Sequence, residues 1–379
     1  MTMFLLAITI IKLALAGVWG WTADILQYYV NAEAYLAGRD LLDPRSMGGN
    51  PSFLPMGHFL FATACLLASQ VTGITFSLLI KTPAILADLG VSLLLRAMPR
   101  GGDRAAVLYM LNPVTFLLSV YHGQLHTVAM AGAVFALWLA DRGWFGLGGL
   151  MLGLAASVRQ HYAALIAPLA MVSGRRRNVT LVVFALILFL LNAPLLGSTY
   201  PERILAPNWT YGSWGYTMLL LQGPRILTLV GLSHLGFVAD FLNRALEAYG
   251  FLLYWIWAFV FGLWTWQRHG EDLWHAALFF LVGLYVVTPG FGVQWLVWAV
   301  PFWLIVNPRG AIVYSALAGA FLAGSYWQWG LNAKYGVRSI TANLHLLSLG
   351  DLVGLLLVGV LGFLTWVYCA RAAWRLARA

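Results

Sequence analysis

Charge is what this sequence has least of. Asp, Glu, Lys and Arg make up 9% of its 379 residues while 61% are hydrophobic, where soluble proteins carry about 25% charged residues. So few charges cannot clothe a surface that faces water, which excludes an ordinary soluble protein and leaves a membrane protein. Cysteine is scarce as well. The 2 present, Cys65 and Cys369, stand far apart in apolar settings, which excludes a disulfide framework and a cysteine metal site. Acids are outnumbered, 13 against 22 Lys and Arg for a net charge of +9. Yet the arginines fall in short clusters between apolar runs, where they set membrane orientation rather than bind nucleic acid. No internal repeat, low-complexity linker or soluble domain breaks the pattern. The N-terminus has neither a basic leader nor a clear small-residue cleavage site, so its first apolar run is expected to be retained.

What is present is a succession of apolar runs. Residues 4–19, 74–98, 105–121, 128–140, 144–158, 162–172, 179–196, 251–266, 273–287, 293–306, 311–327 and 352–368 predict an all-α polytopic membrane protein of about 12 spans, several short enough to need tilt or local thinning. Residues 55–71 are apolar but contain Pro55, Gly57 and His58, and are expected to lie at the interface. If that helix does not cross, Arg96, Arg100, Arg104, Arg142, Arg175 to Arg177, Arg268, Arg309, Arg371, Arg375 and Arg378 all fall on one side. The positive-inside rule makes that side the cytoplasm, with both termini there. The chain then reads as one membrane domain, 1–379, with a first extracytoplasmic loop at 22–73 carrying interfacial helices and a long one at 197–250.

Polar residues stand out against this background, because a charge at membrane depth costs at least about 2.5 kcal/mol and ordinarily faces a cavity or a partner. Lys12 sits mid-span and is expected to snorkel or to face the interior. Lys81 and Asp88 share one helix face with Pro83 between them; either they satisfy each other, or Lys81 edges an outer cavity as a phosphate contact. Arg159 and His161 lie between two spans on the outer side, as ordinary interfacial residues or as an anion site, since a planar guanidinium matches phosphate. Asp24, Glu33, Arg39, Asp40 and Asp43 crowd the first outer loop. Asp40 and Asp43 suit turn chemistry, with a divalent ion between them as the alternative. Most tryptophans and tyrosines mark interfaces. "NWTYGSWGY", with Trp209, Tyr211 and Trp214, is dense enough to stack on a sugar or cover a lipid-linked group, and "GFGVQWLVWAVPF" places Gln294, Trp295 and Trp298 at the mouth of a span.

In order along the chain, "ADILQYYVNAEAYLAG", "IKTPAILADLGVSLLLR", "YMLNPVTFLLSVYHGQLH", "LGLAASVRQHYAALIAPLAM" and "GFGVQWLVWAVPF" resemble the integral-membrane glycosyltransferases of the GT-C class. Within it they are most similar to bacterial mannosyl- and glucosyltransferases that use polyprenyl-phosphate-linked sugars. The resemblance implies a GT-C-like bundle in a bacterial plasma membrane, with its site facing the periplasm or exterior. It also implies transfer of a hexose, mannose favoured, or a pentose to a glycan, lipid or protein acceptor. The family's first-loop aspartate, a general base or acceptor-binding acid, falls on Asp24, and its asparagine-proline and histidine-glycine-glutamine on Asn112, Pro113, His122, Gly123 and Gln124. Relatives often carry an acid where this chain has His126, and a lysine where it has Arg159. Arg159, with Lys81, His122 and His161, is then expected at the donor phosphate. Tyr28, Gln124, His126, Trp209, Tyr211, Trp214, Gln294 and Trp295 are expected at the substrate.

The chemistry needs a cation by the leaving phosphate and a base by the acceptor hydroxyl, in line across the anomeric carbon. Desolvation in an outer cavity is expected to raise the pKa of Asp24, with Tyr28 and Tyr29 helping to exclude water. A phosphate already departs readily, so no cofactor or metal is required. Two other classes fit an outward cavity with cations and aromatics. One is a transporter or flippase of lipid-linked sugar, against which stands the lack of repeat symmetry; the other is an oligosaccharide polymerase working through outer-loop arginines such as Arg203 and Arg225.

Overall fold

The computed structural model describes residues 1–40, 55–172, 177–193, 214–216, 231, 236–269, 272–288, 291–335 and 348–378. Every regular element among them is helical. Phe76–Ala97, Pro308–Gly330 and Leu349–Arg378 are each long and apolar enough to cross a membrane, and two bent pairs of helices raise the number of such candidates from 3 to 5. Six further apolar helices among the described residues have 10–17 residues, short of the roughly 20 that a straight crossing takes, and Gly236–His269 has 34. Three of the expected spans are interrupted by breaks or non-α turns. The run 105–121 breaks at Asn112, 162–172 begins as a 3-10 turn, and 293–306 is a 3-10 turn leading into Val300–Val306.

Helix α1 (Thr2–Val18) and α2 (Ala23–Leu36) meet at 81°, so α2 lies across the end of α1. Two devices hold the corner. The carbonyls left over at the end of α1 accept from the Lys81 ammonium, at 3.3 Å for Ala16, 3.0 Å for Gly20, and also for Trp19. Thr22 caps α2 by accepting from the Ile25 amide at 3.3 Å, and its hydroxyl donates to the His122 carbonyl at 3.0 Å. Ile25, Tyr28 and Ala32, spaced along one face of α2, bury against Phe59, Ala62 and Leu66 of α3 (Met56–Thr72) and Phe76 of α4 (Phe76–Ala97).

Lys81 and Asp88 do not pair. Asp88 instead accepts from Lys12 of α1 at 2.8 Å, Ser119 at 2.7 Å and Tyr109 at 3.2 Å, so Lys12 faces the interior. After α5 (Gly102–Met110), Asn112 accepts from the Val114 amide at 2.9 Å and donates to Ser315 Oγ at 2.6 Å. With Pro113 at the first helical position it starts the short α6 (Pro113–Phe116). The chain continues as a π-helix, Leu117–His122, and ends in Gly123 at φ 75°, a left-handed conformation that suits glycine.

Helix α7 (His126–Asp141) and α8 (Phe145–Val158) pack in the main core, and α9 (Arg177–Asn192) crosses α8 closely. A Cβ on Gly149 would sit 2.5 Å from the Thr180 carbonyl, and one on Gly153 would sit 3.0 Å from Ile187, which is the close approach that small residues four apart permit. The opposite end from α2 is basic. Arg96 bonds Asp103 at 2.7 Å and the Thr2 hydroxyl at 2.6 Å, and Arg100 bonds Asp272 at 2.6 Å, gathering the start of α1, the end of α4 and the start of Leu273–Val287 there.

Candidate functional site

At the α2 end of the bundle the first turn of α2, the π-helix and the turn after α8 converge. Asp24 stands in the first turn of α2, its side chain 36% exposed. It accepts from His122 Nε2 at 3.1 Å and from Gln124 Nε2. Against a carboxylate, which only accepts, Nε2 is the donor, and Nδ1 meets the Tyr326 hydroxyl at 2.6 Å. The Gln124 amide is oriented by its two ends. Its nitrogen faces the acid, while its oxygen accepts from Tyr28 at 2.6 Å and from Arg159 Nη2 at 2.6 Å. Arg159 Nη2 also donates to the Tyr28 hydroxyl at 2.5 Å. One amide therefore links the acid to the guanidinium, and the π-helix followed by left-handed Gly123 is what delivers it.

Arg159 is 7% exposed in an extended turn that closes α8, and among the described residues no carboxylate pairs with it directly. Beyond it lies an aromatic wall. His161, in the 3-10 turn Gln160–Leu165, sits 4.5 Å from the Trp295 ring and 5.6 Å from Trp298. Trp295 and Trp298 stack at 4.8 Å, and Trp298 Nε1 donates to His126 Nδ1 at 3.3 Å. Gln294 is half-buried in the same turn as Trp295.

Burial acts to raise the Asp24 pKa, but the His122 hydrogen bond and charge and then the Arg159 charge outweigh it, and the carboxyl is held below its ordinary value. This corrects the expectation of a raised pKa: desolvation is present, and the cations win over it. The carboxylate is thus ionised at neutral pH. Burial drives the Tyr28 pKa up, so its hydroxyl keeps the proton it donates to Gln124.

Asp24, Tyr28, His122, Gln124 and Arg159 are joined in one hydrogen-bonded cluster, and His126, His161 and Trp295 line its flank. Lys81 stands apart from the cation set, because its ammonium is spent on the carbonyls at the end of α1. Trp214 is elsewhere too. It is 1% exposed, stacked on Phe291 at 4.0 Å and donating to the Tyr285 carbonyl at 2.8 Å, a packing role. Trp209, Tyr211, Asp43, Arg203 and Arg225 lie outside the described residues. Among the described residues no group of three or more His, Cys, Asp or Glu is placed to hold a metal ion. Sequence reasoning missed Tyr326 and His58, the latter edge-on to Tyr28 at 4.5 Å. The sequence signal for His58 was a histidine inside an apolar helix; Tyr326 carried none.

No family model, curated protein or solved structure matches this chain.

Proposed function

We propose that the chain is an integral-membrane glycosyltransferase of GT-C type. It transfers a hexose, mannose favoured, or a pentose from a polyprenyl-phosphate donor to a glycan, lipid or protein acceptor on the extracytoplasmic face. The observation that carries this reading is the Gln124 amide linking the Asp24 carboxylate to the buried Arg159 guanidinium. An acid that is reachable from solvent and a cation that is not are the two groups this transfer needs. The acceptor oxygen attacks the anomeric carbon as the bond to the phosphate oxygen breaks, the acceptor proton passes to Asp24, and the departing phosphate keeps the electron pair beside Arg159. An acid held ionised needs no prior deprotonation; positioned general bases contribute about a hundredfold to ten-thousandfold in rate, and a lowered pKa makes Asp24 a weaker base than one matched to neutral pH. The basic end with Arg96, Arg100 and Arg104 is cytoplasmic by the positive-inside rule. The shorter helices complete a bundle of about 12 spans by tilt and local thinning.

The test is purified chain in proteoliposomes given radiolabelled polyprenyl-phosphate mannose and a cell-envelope extract as acceptor source. Label appearing in a new product, with polyprenyl phosphate released, is the expected result. Label that crosses the bilayer still attached to its lipid would mean a transporter, and a donor left intact on both sides would remove the enzyme reading.

A further inference from the structure

His58 is a histidine where packing alone asks for none. It is 0% exposed, in the first turn of α3, and its ring lies edge-on to Tyr28 at 4.5 Å and to Phe59 at 6.0 Å. Phenylalanine would fill that space without burying polar atoms. Instead both ring nitrogens are buried, and neither has a hydrogen-bond partner among the described residues. Buried polar groups are nearly always paired, so two such atoms on one side chain ask for a reason.

The surroundings supply one. The Tyr28 ring that His58 touches also carries the Arg159 guanidinium, whose carbon is 5.7 Å from the ring centroid. Arg159 Nε and His161 Nδ1 are buried without partners as well. A buried cation ordinarily has an anion against it, and Arg159 reaches Asp24 only through Gln124. Burial first, and the Arg159 charge next, hold His58 well below the ordinary histidine pKa and pull His161 down to about 3, so each ring is neutral with one N–H to give.

The position of His58 is also fixed. A Cβ on Gly57 would lie 2.4 Å from the Ser157 carbonyl, so only glycine lets α3 rest on the end of α8. The Met56 amide is bonded to Asn192 Oδ1 at 2.9 Å. These contacts bolt the first turn of α3 to the chain just before Arg159 and to the end of the helix Arg177–Asn192.

We infer that His58 is a ligand-binding residue that donates a hydrogen bond to the phosphate of the donor, completing with Arg159 and His161 a site for a singly charged phosphate ester. This rests on the proposed function, whose phosphate site it extends to the first outer loop. That loop then holds the acid at one end and a phosphate ligand at the other, so donor binding and acceptor activation share one element.

The experiment is calorimetric binding of citronellyl methyl phosphate, a short prenyl phosphodiester with one charge like the donor, to the purified full chain in detergent, with citronellol as the uncharged control. His58→Phe keeps the ring packing and removes the donor, whereas His58→Asn restores an N–H. The wild type is expected to prefer the ester, His58→Phe to weaken it about tenfold, the loss of one hydrogen bond to a charged group, and His58→Asn to recover most of that. An unchanged ester affinity in folded His58→Phe overturns the assignment. If Arg159→Ala then still weakens binding about tenfold or more, the phosphate site stands without His58. If Arg159→Ala also binds as wild type, or the wild type does not distinguish ester from alcohol, the underlying reading fails as well. Ring-nitrogen NMR of the histidine-labelled wild type needs no stable apolar variant: the His58 signals are expected to move with the ester and not with citronellol, and signals that stay still overturn the inference.

Discussion

The Lys12 ammonium and the Asp88 carboxylate meet at 2.8 Å across two helices, with 1% and 0% of their side chains exposed. Ser119 and Tyr109 complete the coordination of the acid. Removing one partner leaves the other charged and buried, which typically costs about 3 to 5 kcal/mol, while replacing both with apolar residues is often near neutral. Lys12→Met and Asp88→Leu are each expected to destabilise the protein strongly, and the double variant to recover most of the loss. Unfolding of the four proteins in one detergent closes the cycle. Purely additive effects would show that the pair is not a unit.

Gly123 supplies the second prediction. Its φ is 75°, and a Cβ there would lie 2.8 Å from Ile25 Cδ1 and 3.0 Å from Lys81 Cγ. Gly123→Ala is therefore expected to lose more than about 1 kcal/mol. It should also lower turnover, because Gln124 follows directly and its amide links Asp24 to Arg159. Stability and turnover equal to wild type would mean that the left-handed turn does not place the amide.

Asp24, Tyr28, His122, Gln124 and Arg159 were singled out in the sequence, most of them through a family resemblance, and the structure joins them by hydrogen bonds. The helical class followed from composition. What was not legible depended on tertiary partners. Lys81 and Asp88 share a helix face, but seven positions are about 10 Å of rise, so each found a partner on or beyond α1 instead. Tyr326 reaches His122 across 204 positions of chain, and no local pattern announces such a meeting. The π-helix was hidden as well, because nothing in LLSVYH distinguishes a π-turn from an α-turn. The sign of the Asp24 pKa shift followed from His122, which sequence reasoning had assigned to the phosphate instead.

Orientation is open to labelling. In a variant lacking Cys65 and Cys369, Ala37→Cys at the end of α2 is expected to react with an impermeant maleimide on intact cells. Arg104→Cys, in the first turns of α5, is expected to react only after permeabilisation. Both positions are exposed. The reverse pattern would put Asp24 on the cytoplasmic side and remove the proposed topology.

Acid and cation should fail differently. Asp24→Asn keeps shape and cannot accept a proton, so donor binding is expected to persist while turnover falls about a hundredfold to ten-thousandfold. Arg159→Ala removes a charge-assisted contact and is expected to weaken donor binding about tenfold to a hundredfold. Steady-state kinetics in donor and acceptor separate the two. Near wild-type turnover of Asp24→Asn at saturating donor would move the base elsewhere, with Glu33 of the same helix the next acid to test.

The pH profile ties the acid to its histidine. The folded-state pKa of Asp24 lies below its ordinary 3.8, so the carboxylate contributes stability above that ordinary value and loses it as pH falls through the lower, folded one. Activity that needs the ionised acid is therefore expected to fall only in strong acid, giving kcat/KM an acid limb below the ordinary carboxylate pKa. Of the influences on Asp24, burial raises the pKa, while His122, by hydrogen bond and by charge, and then Arg159 lower it. His122→Ala deletes the larger of the lowering partners and leaves burial in place. The acid limb is thus expected to move to higher pH, with the alkaline side of the profile less affected. Plots of kcat/KM against pH for wild type and His122→Ala make the comparison, using thermal unfolding at each pH to exclude loss of fold. A limb that stays put on removal of His122 would mean that the titrating group is not Asp24, and the pairing of Nε2 with its carboxylate at 3.1 Å would then have no part in catalysis.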